Sequence, residues 1–574
     1  MTPRSTAAHH GDRDARWWQS AVVYQVYPRS FADSDGDGVG DLRGVLEHLD
    51  HIAGLGVDVV WLSPVYRSPQ ADNGYDISDY QSVDPLFGTL DDLDALIEAV
   101  HARGMRLIMD LVVNHTSDEH PWFVESRGDR TGAKADWYFW RDARPGSVPG
   151  EPGAEPNNWG AAFAGSAWEW CPDRGQYYLH LFSAKQPDLN WENPAVREAV
   201  FTMMNWWLDR GVDGFRMDVI NFISKDPALP DGVLTATGYG DGMPYFSYGP
   251  RVHAYLAEMR RRVFDPRPGT YLTVGEMPGV TPQQAREFTD SKRGQLDMVF
   301  QFEHVTLDHD GSKWTQRTVS VHDLRETLGR WQDALAEEGW NSLYWNNHDQ
   351  PRVVSRFGDA TRYWFESATA LAIVLHLHRG TPYVYQGEEL GMTNAVFDAV
   401  TDFRDIESLD YYEQSVVQNH GDPDEALAVL RRKSRDNART PMQWTSGPRS
   451  GFTAGEPWIG VNPNHTWLNA ADQRADPGSV YHLYRRLIEL RHAEPVVALG
   501  DFALLDVGNE QVYAFRRRLG DREIRVVANL SGADGAFGRD GLELDQVLLG
   551  NRPEDERQAD RLAPWEARVY LAGA

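Results

Sequence analysis

Hydrophobic and polar residues follow two rhythms along this chain. Short, almost wholly apolar runs such as VVYQVYP (22–28) and VDVVWLSPV (57–65) are separated by stretches in which apolar residues recur every three or four positions, such as LRGVLEHLDHIAGLG (42–56) and DDLDALIEAVHARG (91–104). The first rhythm is that of strands buried on both faces, the second that of amphipathic helices. The predicted helices stop at Gly56 and Gly104, and the second opens on acids, as the left-handed C-cap and the helix dipole favour. Further strands are predicted at 105–115, 211–220, 270–277, 298–304, 341–349 and 381–389, with helices at 195–211, 320–339 and 479–495. Eight strands, each followed sooner or later by a helix, is the count of an α/β protein of the (β/α)8 TIM-barrel type.

Residues 116–185, rich in Gly, Pro, Trp and Asp, break the rhythm after the third strand, and residues 393–478 form a second excursion after the eighth. From about 496 the pattern becomes short alternating strands, including QVYAFRRRL and REIRVVANL. The expected organisation is a catalytic barrel at 1–115 and 186–495, an inserted small domain at 116–185, and a C-terminal all-β domain, a β-sandwich, at 496–574.

Composition narrows the class of partner. A formal net charge of −29 over 574 residues repels nucleic acid and anionic lipid. The single cysteine, Cys171, excludes an internal disulfide and a Cys-rich zinc site. The opening MTPRSTAAHHGDRDARWW has no apolar core of signal-peptide type, and the apolar run ALAIVLHLH (370–378) is too short to span a membrane. A cytoplasmic monomer or homodimer with no nucleic-acid or membrane partner is the expectation. The 21 Trp, 23 Tyr and 22 Phe supply apolar faces with polar handles, which suits sugar binding.

In a barrel of this type the chemistry sits at the C-terminal ends of the strands. Those ends read Asp110, Asn114 and His115 on strand three, Arg216 and Asp218 on strand four, Glu276 on strand five, and His348 and Asp349 on strand seven. A lone strand-end carboxylate is more often a cap or an ion-pair partner than a catalyst. Four strands delivering acids and imidazoles to one rim is hard to explain as packing. Glycoside hydrolysis uses such a set: one carboxylate attacks the anomeric carbon, a protonated one serves the leaving oxygen, and nearby negative charge stabilises a cationic transition state.

The segments DLVVNH (110–115), GFRMD (214–218), GE (275–276) and NNHD (346–349), with QPDLN (186–190), NGYDISDY (73–80) and SRDNARTPMQW (434–444), resemble the signature segments of the α-amylase family, glycoside hydrolase family 13, in its oligo-1,6-glucosidase and α-glucosidase subfamily. The resemblance implies Asp218 as nucleophile, Glu276 as general acid and base, and Asp349 as transition-state stabiliser. It implies substrate contacts from Tyr75, His115 and His348, with Asp72 and Arg435 closing the pocket. Arg216 is expected to keep Asp218 ionised and oriented. Phe163 is open between a pocket wall and the core of the inserted domain, and Glu388 and Glu389 between substrate contact and a rim ion pair. Val219, after the nucleophile, resembles enzymes that accept α-1,6 bonds.

The expected activity is therefore an exo-acting, retaining α-glucosidase that hydrolyses short oligosaccharides of isomaltose type. The alternatives are a glucosyltransferase or sucrose isomerase on the same scaffold, and a non-catalytic binding relative. The stretch FEHVTLDHDGSKW (302–314) lacks the Arg cluster of the isomerases, and no acid of the triad is missing. The loop DSDGDGVGDLRG (33–44) starts like an EF-hand but has Gly44 where the closing Glu should be. The family's corresponding loop implies a structural calcium or magnesium ion held by Asp33, Asp35, Asp37, the Val39 carbonyl and Asp41. No organic cofactor is expected.

Overall fold

The computed structural model describes residues 16–538, 542 and 544–572. The first fifteen residues of the expected barrel segment, which include most of the opening stretch, lie outside the described residues, as do parts of the expected C-terminal segment. Eight parallel strands form one sheet: β1 (Val23–Val26), β2 (Val59–Leu62), β3 (Arg106–Leu111), β4 (Gly214–Met217), β5 (Leu272–Glu276), β6 (Met298–Phe300), β7 (Ser342–Leu343) and β8 (Thr381–Tyr385). Their order is β6-β5-β4-β3-β2-β1-β8-β7. A parallel bridge from Val299 to Asn341 joins the two end strands and closes the barrel. Helices lie between the strands, among them α1 (Leu90–Ala102), α2 (Pro194–Asp209), α3 (Val321–Ala334), α4 (Trp364–His376) and α5 (Val480–Ala493).

Local chemistry explains the elements. α1 starts where the Thr89 hydroxyl accepts from the Asp92 N–H and the Asp92 side chain returns the bond, a capping box. It buries Leu93, Leu96, Ile97 and Val100, one stripe at helical spacing. α2 starts at Pro194 behind an Asn193 cap. Along the strands, side chains alternate between two environments. Leu107, Met109, Phe215 and Met217 pack outward in the main core with the helices. Val23, Val59, Ile108, Leu272, Val274 and Met298 point into the barrel, plugged below by Trp18 and Trp340.

All eight barrel strands are shorter than predicted, and at two of them the shortfall shapes the rim. β3 stops at Leu111 and β7 spans only Ser342–Leu343, so residues 112–115 and 344–349 leave the sheet as loops. The β7 loop is held by side chains: Asn346 donates to Glu388 and accepts from the Val353 N–H.

Residues 116–185 carry a three-stranded antiparallel sheet of Trp140–Arg141, Trp168–Cys171 and Gln176–Leu179. Its apolar cluster, including Trp159, Trp168 and Leu181, is continuous with Val219, Phe222 and Phe246 from the loop after β4. The insert therefore packs directly on the turn that carries Asp218. At the C-terminus, β9 (Asp501–Leu505), β10 (Val512–Leu519), β11 (Arg522–Asn529), β12 (Val547–Gly550) and β13 (Ala567–Ala572) form an antiparallel sheet in the order β9-β10-β11-β13-β12. A two-stranded ribbon accompanies it. Alternation in β10 puts Tyr513 and Phe515 in the barrel-side core and Val512 and Ala514 on the far face. Among the described residues, no helix is long and apolar enough to cross a membrane.

Candidate active site

Period-two alternation carries the inward rows of β3, β4 and β5 from apolar to charged as they reach the C-terminal rim: Ile108 then Asp110, Gly214 then Arg216, Val274 then Glu276. Asp110 and Arg216 stand directly across the β3–β4 pair. Arg216, 1% exposed, pairs with Asp110, with Asp218 Oδ1 at 2.8 Å, and through its other terminal nitrogen with Glu276 Oε1. It also lies over the Trp61 ring at 5.1 Å. One guanidinium thus binds three carboxylates.

Burial is the largest influence on each of these acids. It pushes Asp218 up to about 7; Arg216 opposes it and Asp110 adds to it. Glu276 is likewise pushed up to about 7 by burial and by the Asp218 and Asp349 charges, against Arg216. The expectation that Arg216 keeps Asp218 ionised thus accounts for one of the forces present, and loss of hydration outweighs it. Asp349 goes the other way. Its side chain is 28% exposed, and although burial raises its pKa, His348, Arg435 and Arg439 hold it well below the usual carboxylate range. Burial lowers His115 to about 4, so that ring is neutral at neutral pH, and burial lowers His348 too, against the opposing Asp349 charge.

A pocket of about 140 Å3 lies above this floor, lined by Asp72, Tyr75, His115, Phe163, Val219 and Arg435 together with Asp218, Glu276 and Asp349. Of the sequence-predicted substrate residues, Arg216 and His348 do not line it. His348 lies behind Tyr75, its ring stacked at 5.1 Å, and stands 3.1 Å from Asp349 Oδ2 while Gln25 contacts its Nδ1 at 2.9 Å. Arg435 donates to Asp72 Oδ1 at 3.2 Å and to Asp349 Oδ1 at 3.3 Å, and lies 4.9 Å over the Phe163 ring. Phe163 is thus a wall residue. Glu388 and Glu389 do not face the mouth: they are buried behind β8, bonded to Tyr484 and Asn346 and to Tyr24 and His51.

Sequence reading missed several members. Gln186 lines the pocket and donates to Asp72 at 3.1 Å; it sits in the QPDLN segment, which was the available signal. Phe182, Pro278 and Phe302 complete the wall. Buried Asp405 accepts from Arg435 Nε at 2.8 Å, and Arg439 donates to Asp349 Oδ1 at 2.8 Å and to the His348 carbonyl at 3.0 Å. Volume alone misleads, because a cleft of about 860 Å3 beside Trp122 and Arg67 lies outside the barrel and holds none of these carboxylates.

The turn after β4 has an unusual backbone. Val219 has φ 33° and ψ 43°, in the left-handed region, a conformation that costs a β-branched residue about 1–3 kcal/mol.

In the loop at 33–44, Asp33, Asp35 and Asp37 offer carboxylate oxygens within 4.8 Å of one another. No Lys or Arg pairs with these three among the described residues, and together they offer a donor set of the kind that holds a metal ion. Asp41 is not in that cluster. Its oxygens accept from the Gly44 N–H and from Ser34, which caps the helix Leu42–Glu47. The Val39 N–H donates to Asp37.

The family model for alpha amylase, catalytic domain, matches residues 25–500. The oligo-1,6-glucosidase of Parageobacillus thermoglucosidasius is 52% identical over 96% of this chain and 98% of its own length. Among solved structures, trehalose-6-phosphate hydrolase of Bacillus licheniformis superposes with a TM-score of 0.90 at 44% identity, covering 97% of this chain and 100% of that one. The trehalulose synthase of Pseudomonas mesoacidophila MX-45 superposes with a TM-score of 0.91 at 42% identity, over 97% and 99%.

Proposed function

This chain belongs to the α-amylase family, and from that premise we propose that it is a retaining glycoside hydrolase of oligo-1,6-glucosidase type that removes single α-glucosyl units from the non-reducing ends of short oligosaccharides. The observation that carries the reading is the bridge Asp218–Arg216–Glu276 beneath a pocket of about 140 Å3, room for one sugar ring.

The steps follow from the residues. Asp218 attacks the anomeric carbon while Glu276 gives its proton to the departing oxygen, which leaves with the electron pair of the broken bond. Water then supplies its oxygen to that carbon and its proton to Glu276, freeing Asp218 and retaining configuration. Burial and repulsion from neighbouring carboxylates raise both carboxyls to about 7, so near neutral pH the pair holds one proton between them, as an acid and a nucleophile together require. Asp349, held ionised, stabilises the cationic transition state. Neutral His115 offers an uncharged contact to hydroxyls, Tyr75 provides the face beneath the ring, and Arg435 with Asp72 ends the pocket and makes the action exo. Asp33, Asp35 and Asp37 would hold a structural cation, which supplies stability to the loop and no step of the reaction.

Val219 lines the pocket, where its side chain biases the linkage cut by the roughly 1–3 kcal/mol that one apolar group of this size commands. Steady-state kinetics on purified protein are expected to give a higher kcat/KM for isomaltose than for maltose; a maltose value far above that of isomaltose overturns the linkage preference. The likeness to a trehalulose synthase is the observation favouring a second reading, glucosyl transfer or sucrose isomerisation, and sucrose products in the same assay distinguish it.

A further inference from the structure

The left-handed turn at Val219 has a second face. The Val219 N–H lies 3.3 Å from Glu276 Oε2. The other oxygen, Oε1, is taken by Arg216. Three contacts hold the strained residue in place. The Asp218 N–H is bonded to the Leu111 carbonyl at 3.0 Å and the Phe222 N–H to the Val219 carbonyl at 2.8 Å. The valine side chain, 5% exposed, is packed among Phe222, Leu181 and Phe246. Gly275 lets the turn press this close to β5, because a Cβ there would meet Ile220 Cγ2 at 3.1 Å and Leu296 Cδ1 at 2.7 Å. A valine in the left-handed region persists only where its surroundings over-determine it, and such outliers mark positions where backbone geometry serves the site.

We propose that the strained Val219 peptide is a positioning element for the acid/base, its N–H fixing Glu276 Oε2 so that the proton carried by that oxygen is aimed into the pocket. Oε1, facing a guanidinium, cannot keep a proton, so the proton resides on Oε2. The Val219 N–H occupies one lone-pair direction of Oε2 and leaves the O–H turned toward the glycosidic oxygen. Val219 then has two separate roles: its side chain biases linkage and its backbone serves proton transfer. The inference rests on Glu276 being the acid.

The N–H is removed without touching the side chain by replacing Val219 with its α-hydroxy acid in the full-length chain, which turns one amide into an ester. kcat/KM is read on 2,4-dinitrophenyl, 4-nitrophenyl and phenyl α-glucosides. These share an aromatic aglycone and differ in how much they need a proton. The ester variant is expected to lose about tenfold on the phenyl glucoside, the worth of one hydrogen bond to an ionisable group, and less than twofold on the dinitrophenyl glucoside. A uniform loss across the three, or no loss, overturns the proposal. Val219→Ala keeps the N–H and is expected to shift the isomaltose-to-maltose ratio while leaving the leaving-group dependence unchanged; a steeper dependence in that variant assigns the effect to the side chain and overturns the proposal too. Glu276→Gln is the control for the underlying reading. If it keeps the parent's leaving-group dependence, Glu276 is not the acid, and the reading of the site fails along with the inference.

Discussion

The lower and upper halves of the barrel interior are built by the same strands under the same alternation, and they answer to different demands. Below, Val23, Val59, Ile108, Leu272, Val274 and Met298 fill the space with apolar side chains. One or two steps further along β3, β4 and β5, Asp110, Arg216 and Glu276 occupy the same inward rows, almost as deeply buried, at 0, 1 and 5% exposure. Burying ionised groups returns little stability even when they are paired, and an apolar set of similar volume would fold as well or better. The floor is what packing asks for, and the rim is what packing would avoid.

Substitution should therefore separate the halves. The largest effect is expected from Glu276→Gln, which should lower kcat/KM on isomaltose by about 10³-fold while leaving the protein folded. Its effect on stability should depend on pH. Because burial raises Glu276 from its ordinary 4.5 to about 7, the folded chain holds a proton the unfolded chain has lost between those values, and stability falls as pH rises through that window. Thermal unfolding should then show Glu276→Gln gaining more Tm over the parent at pH 8 than at pH 5. A gain that is larger at pH 5 would mean that Glu276 is not destabilised by burial. On the floor, Leu272→Ala should cost about 2–5 kcal/mol in denaturant unfolding and leave the pH profile of kcat/KM where it was. A shifted profile would mean the two halves are not separable. The smallest effect belongs to the loop outside the barrel: Asp33→Asn, or chelation of the parent, should lower Tm by about 2–4 °C, with calcium restoring only the parent.

The same contrast explains what the sequence discloses. The eight strands were legible because barrel strands are near-continuous apolar runs, and Asp110, Arg216, Asp218 and Glu276 because each interrupts such a run on its inward row. β12 was not legible: VLLG is short and follows a turn-rich stretch, so nothing in its period separates it from a loop. The ends of β3 and β7 were over-read, because Val112, Val113, Tyr344 and Trp345 are as apolar as the strands they follow and are buried as loop residues against the core. Asp405 and Arg439 come from the excursion after β8, where no periodicity marks an inward face, and only the folded chain brings them to Arg435 and Asp349. Asp41, which the family's loop implied as a metal ligand, lies outside the cluster of Asp33, Asp35 and Asp37 and caps the helix that starts at Leu42.

The central claim is that Asp218 forms a covalent bond to the sugar. Incubation with 5-fluoro-α-glucosyl fluoride, which slows release of the glycosyl-enzyme more than its formation, followed by proteolysis and peptide mass mapping, tests it directly. The account predicts one fluoroglucosyl adduct, on the peptide containing GFRMD, placed by fragmentation on Asp218. An adduct on Glu276 or Asp349, or turnover of the reagent to a product of inverted configuration without any adduct, would contradict it.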